Sequence, residues 1–253
     1  MTKIVGIVNV TPDSFSDGGE YLRPENAHTK IHELFAQGAD MIDIGAESTR
    51  PGAQEVSADQ EWSRLEPLLN RLKNEYSPDL FMLDTRHAQI AKLAIGMWSN
   101  ELTINDVTGL SDPAMVTLAA EHNLSVVVGH LPKHANGDIA QAHKHKIGSL
   151  QQVVNDITSR TNELIKHEVD ARNIIVDPGI GFGKSANLNR KLITCSNKFV
   201  QPVMIGYSRK RFIGEHRLVP AVNVALGKLA AANGADYLRV HDVAEHANAL
   251  KHS

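Results

Sequence analysis

Residues 26–44, NAHTKIHELFAQGADMIDI, decide the fold. Asn26–Gln37 is an amphipathic helical stretch, Gly38-Ala39 reads as its stop, and Met41–Ile44 is a short, nearly continuously apolar run. With the strand Lys3–Val8 ahead of it, the segment is one strand–helix–strand unit. The same unit recurs outward along the chain. Further strands read at Leu80–Leu83, Leu102–Ile104, Ser125–Val128, Asn173–Val176, Pro202–Ile205 and Tyr237–Val240, each apolar enough for a parallel strand buried on both faces. Amphipathic stretches separate them at Asp59–Asn74, His87–Ile95, Asp112–His122, Lys146–His167 and Val219–Asn233, and Val243–Lys251 reads as a closing helix. Gly129–His145 is the least regular region and reads as a long loop after the fifth strand. Eight alternations in 253 residues match the size of a (β/α)8 TIM barrel, with an open doubly wound sheet as the competing arrangement. No linker, repeat or low-complexity tract divides the chain, so residues 1–253 are expected to form a single α/β domain.

Composition removes several classes. The charge is 26 − 29 = −3, which leaves no basic excess to hold a nucleic-acid backbone. No run approaches the roughly 18 apolar residues of a membrane helix. The opening MTKIVGIVNVTPDSF shows no apolar signal core followed by a small-residue cleavage site. One cysteine, Cys195, makes neither an internal disulfide nor a CxxC metal site. These readings predict a soluble, cytoplasmic protein with no nucleic-acid or membrane partner.

The unusual polar residues gather just after the strands. They are Asn9 with Thr11-Pro12-Asp13-Ser14, then Glu47-Ser48-Thr49-Arg50-Pro51-Gly52, Asp84-Thr85 and Asn105-Asp106. The series continues with Asp177 through Lys184, Ser208-Arg209-Lys210 and Arg239-Val240-His241-Asp242. In a parallel barrel all strand C-termini open on one face, so these segments converge. Carboxylates, amides and cations brought together there suit a polar heterocycle beside an anionic leaving group. Each piece alone has a plainer reading: residues 9–13 as a turn, Asp84 and Asp112 as helix caps. The GxGxGK run at 179–184 has neither Rossmann nor Walker spacing, and its glycines fit a tight loop against a flat ligand. Arg239 and His241 share one side of a strand end and read as an anion clamp. His28, His32, His87, His122, His143, His145, His167, His216, His246 and His252 lack ligand spacing and read as solvated, while Trp62, Trp98 and the methionines read as packing.

Six of these segments, taken in chain order, resemble the dihydropteroate synthase family. They are IVNVTPDSFSDGG (Ile7–Gly19), DIGAESTRPGA (Asp43–Ala53), IND (Ile104–Asp106), DPGIGFGK (Asp177–Lys184), SRK (Ser208–Lys210) and RVHD (Arg239–Asp242). The resemblance implies a (β/α)8 barrel, usually a homodimer. It also implies joining of 7,8-dihydropterin-6-ylmethyl diphosphate to 4-aminobenzoate, with release of diphosphate and help from Mg2+. On that likeness Asp84, Asn105, Asp177 and Lys210 bind the pterin, with Asp84 and Lys210 catalytic. Asn9, Arg50, Arg239 and His241 hold the diphosphate, and Asn9 ligates Mg2+. Thr49, Pro51, Phe182, Lys210 and Arg211 line the aminobenzoate pocket, over which the loops at 11–19 and 47–57 close.

The chain also departs from the family pattern. The Met flanks of the histidine after the fifth strand are replaced around His130 by Gly129 and Leu131. Arg211 stands where the family has Ser, Arg86 follows Asp-Thr in place of a small residue, and Leu188 precedes Asn189 where His is usual. Two other readings therefore stand beside the synthase: an altered pterin-binding paralogue, and a barrel presenting methyltetrahydrofolate to a corrinoid. The second has no need of a diphosphate site.

Overall fold

In the computed structural model, residues 1–10, 24–48, 55–132, 138–144 and 146–251 are described. The strands are β1 (Lys3–Asn9), β2 (Met41–Gly45), β3 (Phe81–Asp84), β4 (Thr103–Asp106), β5 (Val126–Gly129), β6 (Ile174–Asp177), β7 (Met204–Ile205) and β8 (Tyr237–Val240). All pair in parallel, in the spatial order β6-β5-β4-β3-β2-β1-β8-β7. A single parallel bridge, Val176 to Val203, joins the two ends of that order, and the Val176 N–H donates to the Pro202 carbonyl at 2.9 Å. The result is a nearly closed eight-stranded barrel, and the open doubly wound alternative is excluded.

Helices α1 (Pro24–Ala36), α2 (Ala58–Leu72), α3 (Ala88–Met97), α4 (Pro113–Glu121), α5 (Ile139–Ala142), α6 (Leu150–Lys166), α7 (Ala186–Leu192), α8 (Pro220–Ala232) and α9 (Val243–Lys251) lie between and after the strands. Their starts follow side-chain chemistry. Ser57 and Gln60 form a capping box at α2, and Asp112, Ser149 and Ser185 each accept a backbone N–H at the starts of α4, α6 and α7. The cap reading of Asp112 thus holds. Two elements do not show in the periodicity: α5, inside the stretch read as loop, and the seven-residue α7, which carries Leu188 and Asn189.

The two faces of the strands do different work, because side chains two residues apart point the same way. Outward positions such as Ile4, Val8, Ile42, Ile44, Leu83, Val126, Val176 and Val240 pack with the helices in the main core. Inward, a smaller cluster of Val5, Met41, Met82, Val127, Ile175 and Met204 plugs the barrel. One two-residue step along β2, β3, β6 and β8 takes this inner face from Met41 to Asp43, Met82 to Asp84, Ile175 to Asp177 and Tyr237 to Arg239. The apolar plug is therefore the floor of a charged layer at the strand C-termini.

Several solvated histidines of the sequence reading are corrected. His28 is 6% exposed and bonds Glu75, while His246 is fully buried and bonds the Tyr207 hydroxyl at 2.7 Å. His87 is half-buried against the fully buried Glu61, at 2.6 Å. His143 stacks on Phe182 with ring centroids 5.3 Å apart. His32, His122, His167 and His216 are exposed as expected, and His145 and His252 lie outside the described residues. Helical periodicity shows which residues share a face but not what the neighbouring element carries there.

Candidate active site

The charged layer is organised by Arg239. Its Nε donates to Asp43 Oδ2 and its Nη2 donates to Asp84 Oδ2 at 2.7 Å, so one guanidinium spans β8, β2 and β3. Asn105, on β4, donates its amide N–H to Asp43 Oδ2 at 3.1 Å. Burial lowers the pKa of Arg239, yet the two carboxylates outweigh it and hold the guanidinium firmly charged. Burial raises the Asp84 carboxyl well above the usual carboxylate range, with Arg239 opposing and Asp43 reinforcing the shift. Gly45 is in register with both Asn9 and Asp84, and a Cβ there would lie 3.2 Å from the Asp84 side chain. The missing side chain keeps that approach open.

Asp177 and Lys210 form the opposite wall. Asp177 Oδ1 accepts the Gly179 N–H at 2.7 Å, and burial raises this carboxyl against the pull of Lys210. Lys210 donates to the Ile180 carbonyl at 2.6 Å and sits 5.3 Å from the centroid of the Phe182 ring. Burial brings its ammonium down to about 8. Phe182 closes against Leu131 and Ala142. The GxGxGK loop proves to be self-contained. Gly179, Gly181 and Gly183 all take positive φ, and a Cβ on Gly179 would collide with the His130 carbonyl at 2.1 Å. Lys184 turns inward and donates to the carbonyls of Gly179, Phe182 and His130, while Asn189 ties Gly181 N–H to the Lys184 carbonyl.

His241 follows β8 on the same side as Arg239, with its Nδ1 3.0 Å from the Ser208 hydroxyl. Asn9 ends β1, half-buried. Arg211 is exposed at the start of a 3₁₀ segment, Arg211–Leu218. The structure thus brings Asn9, Asp84, Asn105, Asp177, Phe182, Lys210, Arg239 and His241 to one end of the barrel. Thr49, Arg50 and Pro51, with the loop segments 11–19 and 49–54, lie outside the described residues.

The departures from the family pattern find local explanations. Arg86 grips Glu47 in a two-pronged pair, Nε–Oε2 2.9 Å and Nη2–Oε1 3.0 Å. Leu188 is buried packing. His130 is buried near Asp156, and burial with the nearby Lys184 lowers its pKa to about 3, so it is neutral.

A family model described as "Pterin binding enzyme" matches residues 5–241. A dihydropteroate synthase of Bacillus subtilis is 38% identical over 260 residues, spanning 99% of this chain and 87% of that protein. The chain belongs to the dihydropteroate synthase family. A Halobacterium salinarum protein named as a probable bifunctional folylpolyglutamate synthase/dihydropteroate synthase is 39% identical over 99% of this chain, which spans only 31% of that longer protein. Among solved structures, the Xanthomonas albilineans dihydropteroate synthase with 4-aminobenzoic acid superposes with a TM-score of 0.86 at 36% identity, covering 99% of this chain and 91% of that one. The corrinoid methyl-transfer reading is set aside, since these relatives carry the synthase name over the whole barrel.

Sequence reading missed Asp43, the residue that joins Arg239 to Asn105 from a fully buried position. The signal was present: an acidic residue between Ile42 and Ile44 in a strand otherwise fit for burial on both faces.

Proposed function

We propose that this dihydropteroate synthase joins 7,8-dihydropterin-6-ylmethyl diphosphate to 4-aminobenzoate, giving 7,8-dihydropteroate and diphosphate. The observation that carries the reading is the ring of Asp84, Asn105, Asp177 and Lys210 at the C-terminal ends of the strands above the apolar plug. A 2-amino-4-oxo pterin edge offers donors beside an acceptor. Asp177 has an oxygen left over from its bond to Gly179 to accept from the amino and ring N–H groups, and Lys210 donates to the oxo side. Asn105, anchored by Asp43, keeps its amide oxygen for the ligand. Asp84 lies by the reduced ring, held by Arg239. As the carbon–oxygen bond breaks, the positive charge developing beside it favours its ionised form against the burial that raises it, and the carboxylate stabilises that charge in turn. Diphosphate departs with the electron pair of that bond, the amine of 4-aminobenzoate attacks the exposed methylene carbon, and the nitrogen loses its proton to solvent.

Arg239 and His241, with Arg50, take the departing diphosphate. Asn9 supplies a hard amide oxygen at the same mouth, and that donor chemistry fits Mg2+, which uses few protein ligands beside substrate phosphates. When bound, Mg2+ would neutralise charge on the diphosphate. Phe182, Lys210, Thr49, Pro51 and Arg211 line the aminobenzoate end. The enzyme works as a homodimer in the cytoplasm. Exposed Leu218, Val219 and Leu229 on and before α8 support a face for a second copy. Among the described residues no helix is long and apolar enough to cross a membrane.

The test is incubation with the pterin diphosphate, 4-aminobenzoate and Mg2+, following diphosphate release and product formation together. Release of diphosphate only when both substrates are present supports the reading. A folded protein that releases none overturns it.

A further inference from the structure

On the outer layer of the barrel, away from the charged layer, two histidines and a glutamate converge. His28 and His32 are four residues apart on α1, so both imidazoles lie on one face of the helix. Glu75 follows the end of α2, and its Oε2 lies 2.7 Å from His28 Nε2 and 3.2 Å from His32 Nε2. The three donor atoms all fall within 4.8 Å of one another. A single carboxylate oxygen shared by two imidazoles of one helix is more than an ion pair requires. It is the donor set of a chelate.

The geometry points to a transition-metal site of the Zn2+ class, formed by His28, His32 and Glu75, that staples α1 to α2. Two imidazoles and one carboxylate select Zn2+ and its neighbours over Mg2+ or Ca2+, which favour all-oxygen shells. In a tetrahedral zinc site bonds of about 2.0–2.1 Å put donors about 3.4 Å apart. The two imidazole–Glu75 spacings of 2.7 and 3.2 Å need to open slightly. The imidazole–imidazole spacing, within 4.8 Å, needs to close by no more than about 1.4 Å. His28 is buried while His32 and Glu75 face solvent, which gives the ion an entry path and leaves a water position. A supporting partner is also in place. The Tyr76 hydroxyl lies 2.6 Å from His32 Nδ1, where its oxygen can accept a hydrogen bond from the N–H that a ligating imidazole keeps on its far nitrogen. Arg71 approaches Glu75 through the other carboxylate oxygen, Oε1, at 3.6 Å and leaves Oε2 to the metal.

The experiment uses chelator-treated full-length protein. Adding Zn2+ should raise the thermal midpoint and Mg2+ should not, and Co2+ should give the visible absorption of a tetrahedral centre. His32→Ala removes an exposed ligand, so folding is not at stake, and Glu75→Gln removes the anionic oxygen. Each should weaken Zn2+ binding at least about 100-fold, while Tyr76→Phe weakens it about tenfold. Synthase turnover of His32→Ala should equal that of the parent. A parent protein indifferent to Zn2+ overturns the proposal. So does Zn2+ binding that persists unchanged in both His32→Ala and Glu75→Gln, since the ion would then sit on other histidines.

Discussion

Among the described residues Lys210 donates to the Ile180 carbonyl and is attracted by Asp177, and burial makes its charge costly to keep. Lys210→Ala should therefore fold as well as the parent yet lose at least about 2 kcal/mol of transition-state stabilisation, read as a fall in kcat/KM. Asp177→Asn is a narrower change. The amide oxygen can still accept the Gly179 N–H, but the NH2 group would face the donors of a pterin. Pterin affinity should fall at least about tenfold while diphosphate affinity stays near its parental value, measured by calorimetry with each ligand alone. Arg211 is exposed, so a pair with the aminobenzoate carboxylate has a net value of about 1 kcal/mol or less. Arg211→Ser should raise the KM for 4-aminobenzoate several-fold and leave that for the pterin diphosphate unchanged; equal KM values would place Arg211 outside the pocket. At this scale the convergence of Asn9, Asp84, Asn105, Asp177 and His241 on one end of the barrel was readable, because each ends or directly follows a strand. Asp43 escaped because it sits within one, where only the inward–outward alternation marks it.

Among the elements, α2 and α3 are joined by an unusual link, since Glu61 is fully buried yet bonds His87 at the N-terminus of α3. That hydrogen bond raises the His87 pKa above 6.5 in the folded state. A raised histidine binds its proton more tightly when folded, so its stabilisation is fully present below 6.5 and is lost as pH rises through the raised value. Urea melts on either side of that window should show the parent losing stability toward alkaline pH, and His87→Gln should flatten that slope. A slope equal in both proteins would exclude the pair as its source. Strand and helix positions were legible because each apolar run alternates with an amphipathic one. The exceptions have physical reasons: α7 is under two turns, too short to show a helical period, and Pro202 carries no N–H, so β7 shrinks to Met204–Ile205.

For the whole molecule, alternation and length were enough to expect eight parallel strands around a core, but they do not show how the ends of the sheet meet. Between β5 and β6 four residue pairs are in register, whereas β6 meets β7 through one bridge. Asp177 ends β6 and Lys210 follows β7, so the two groups proposed to hold the pterin stand on opposite banks of this gap. A ligand held by both acts as the clasp of a bracelet: it supplies across the gap the tension that backbone pairing leaves out. Amide exchange at Val176, whose N–H donates across the gap to the Pro202 carbonyl, should then be fast for a core strand in the free protein and slow markedly with a bound pterin, whereas β1 and β2 change little. Uniform protection around the ring would mean that the clasp carries no tension. Affinity for substrate and resistance to opening would then be one quantity, tuned by the two strands that hold each other least.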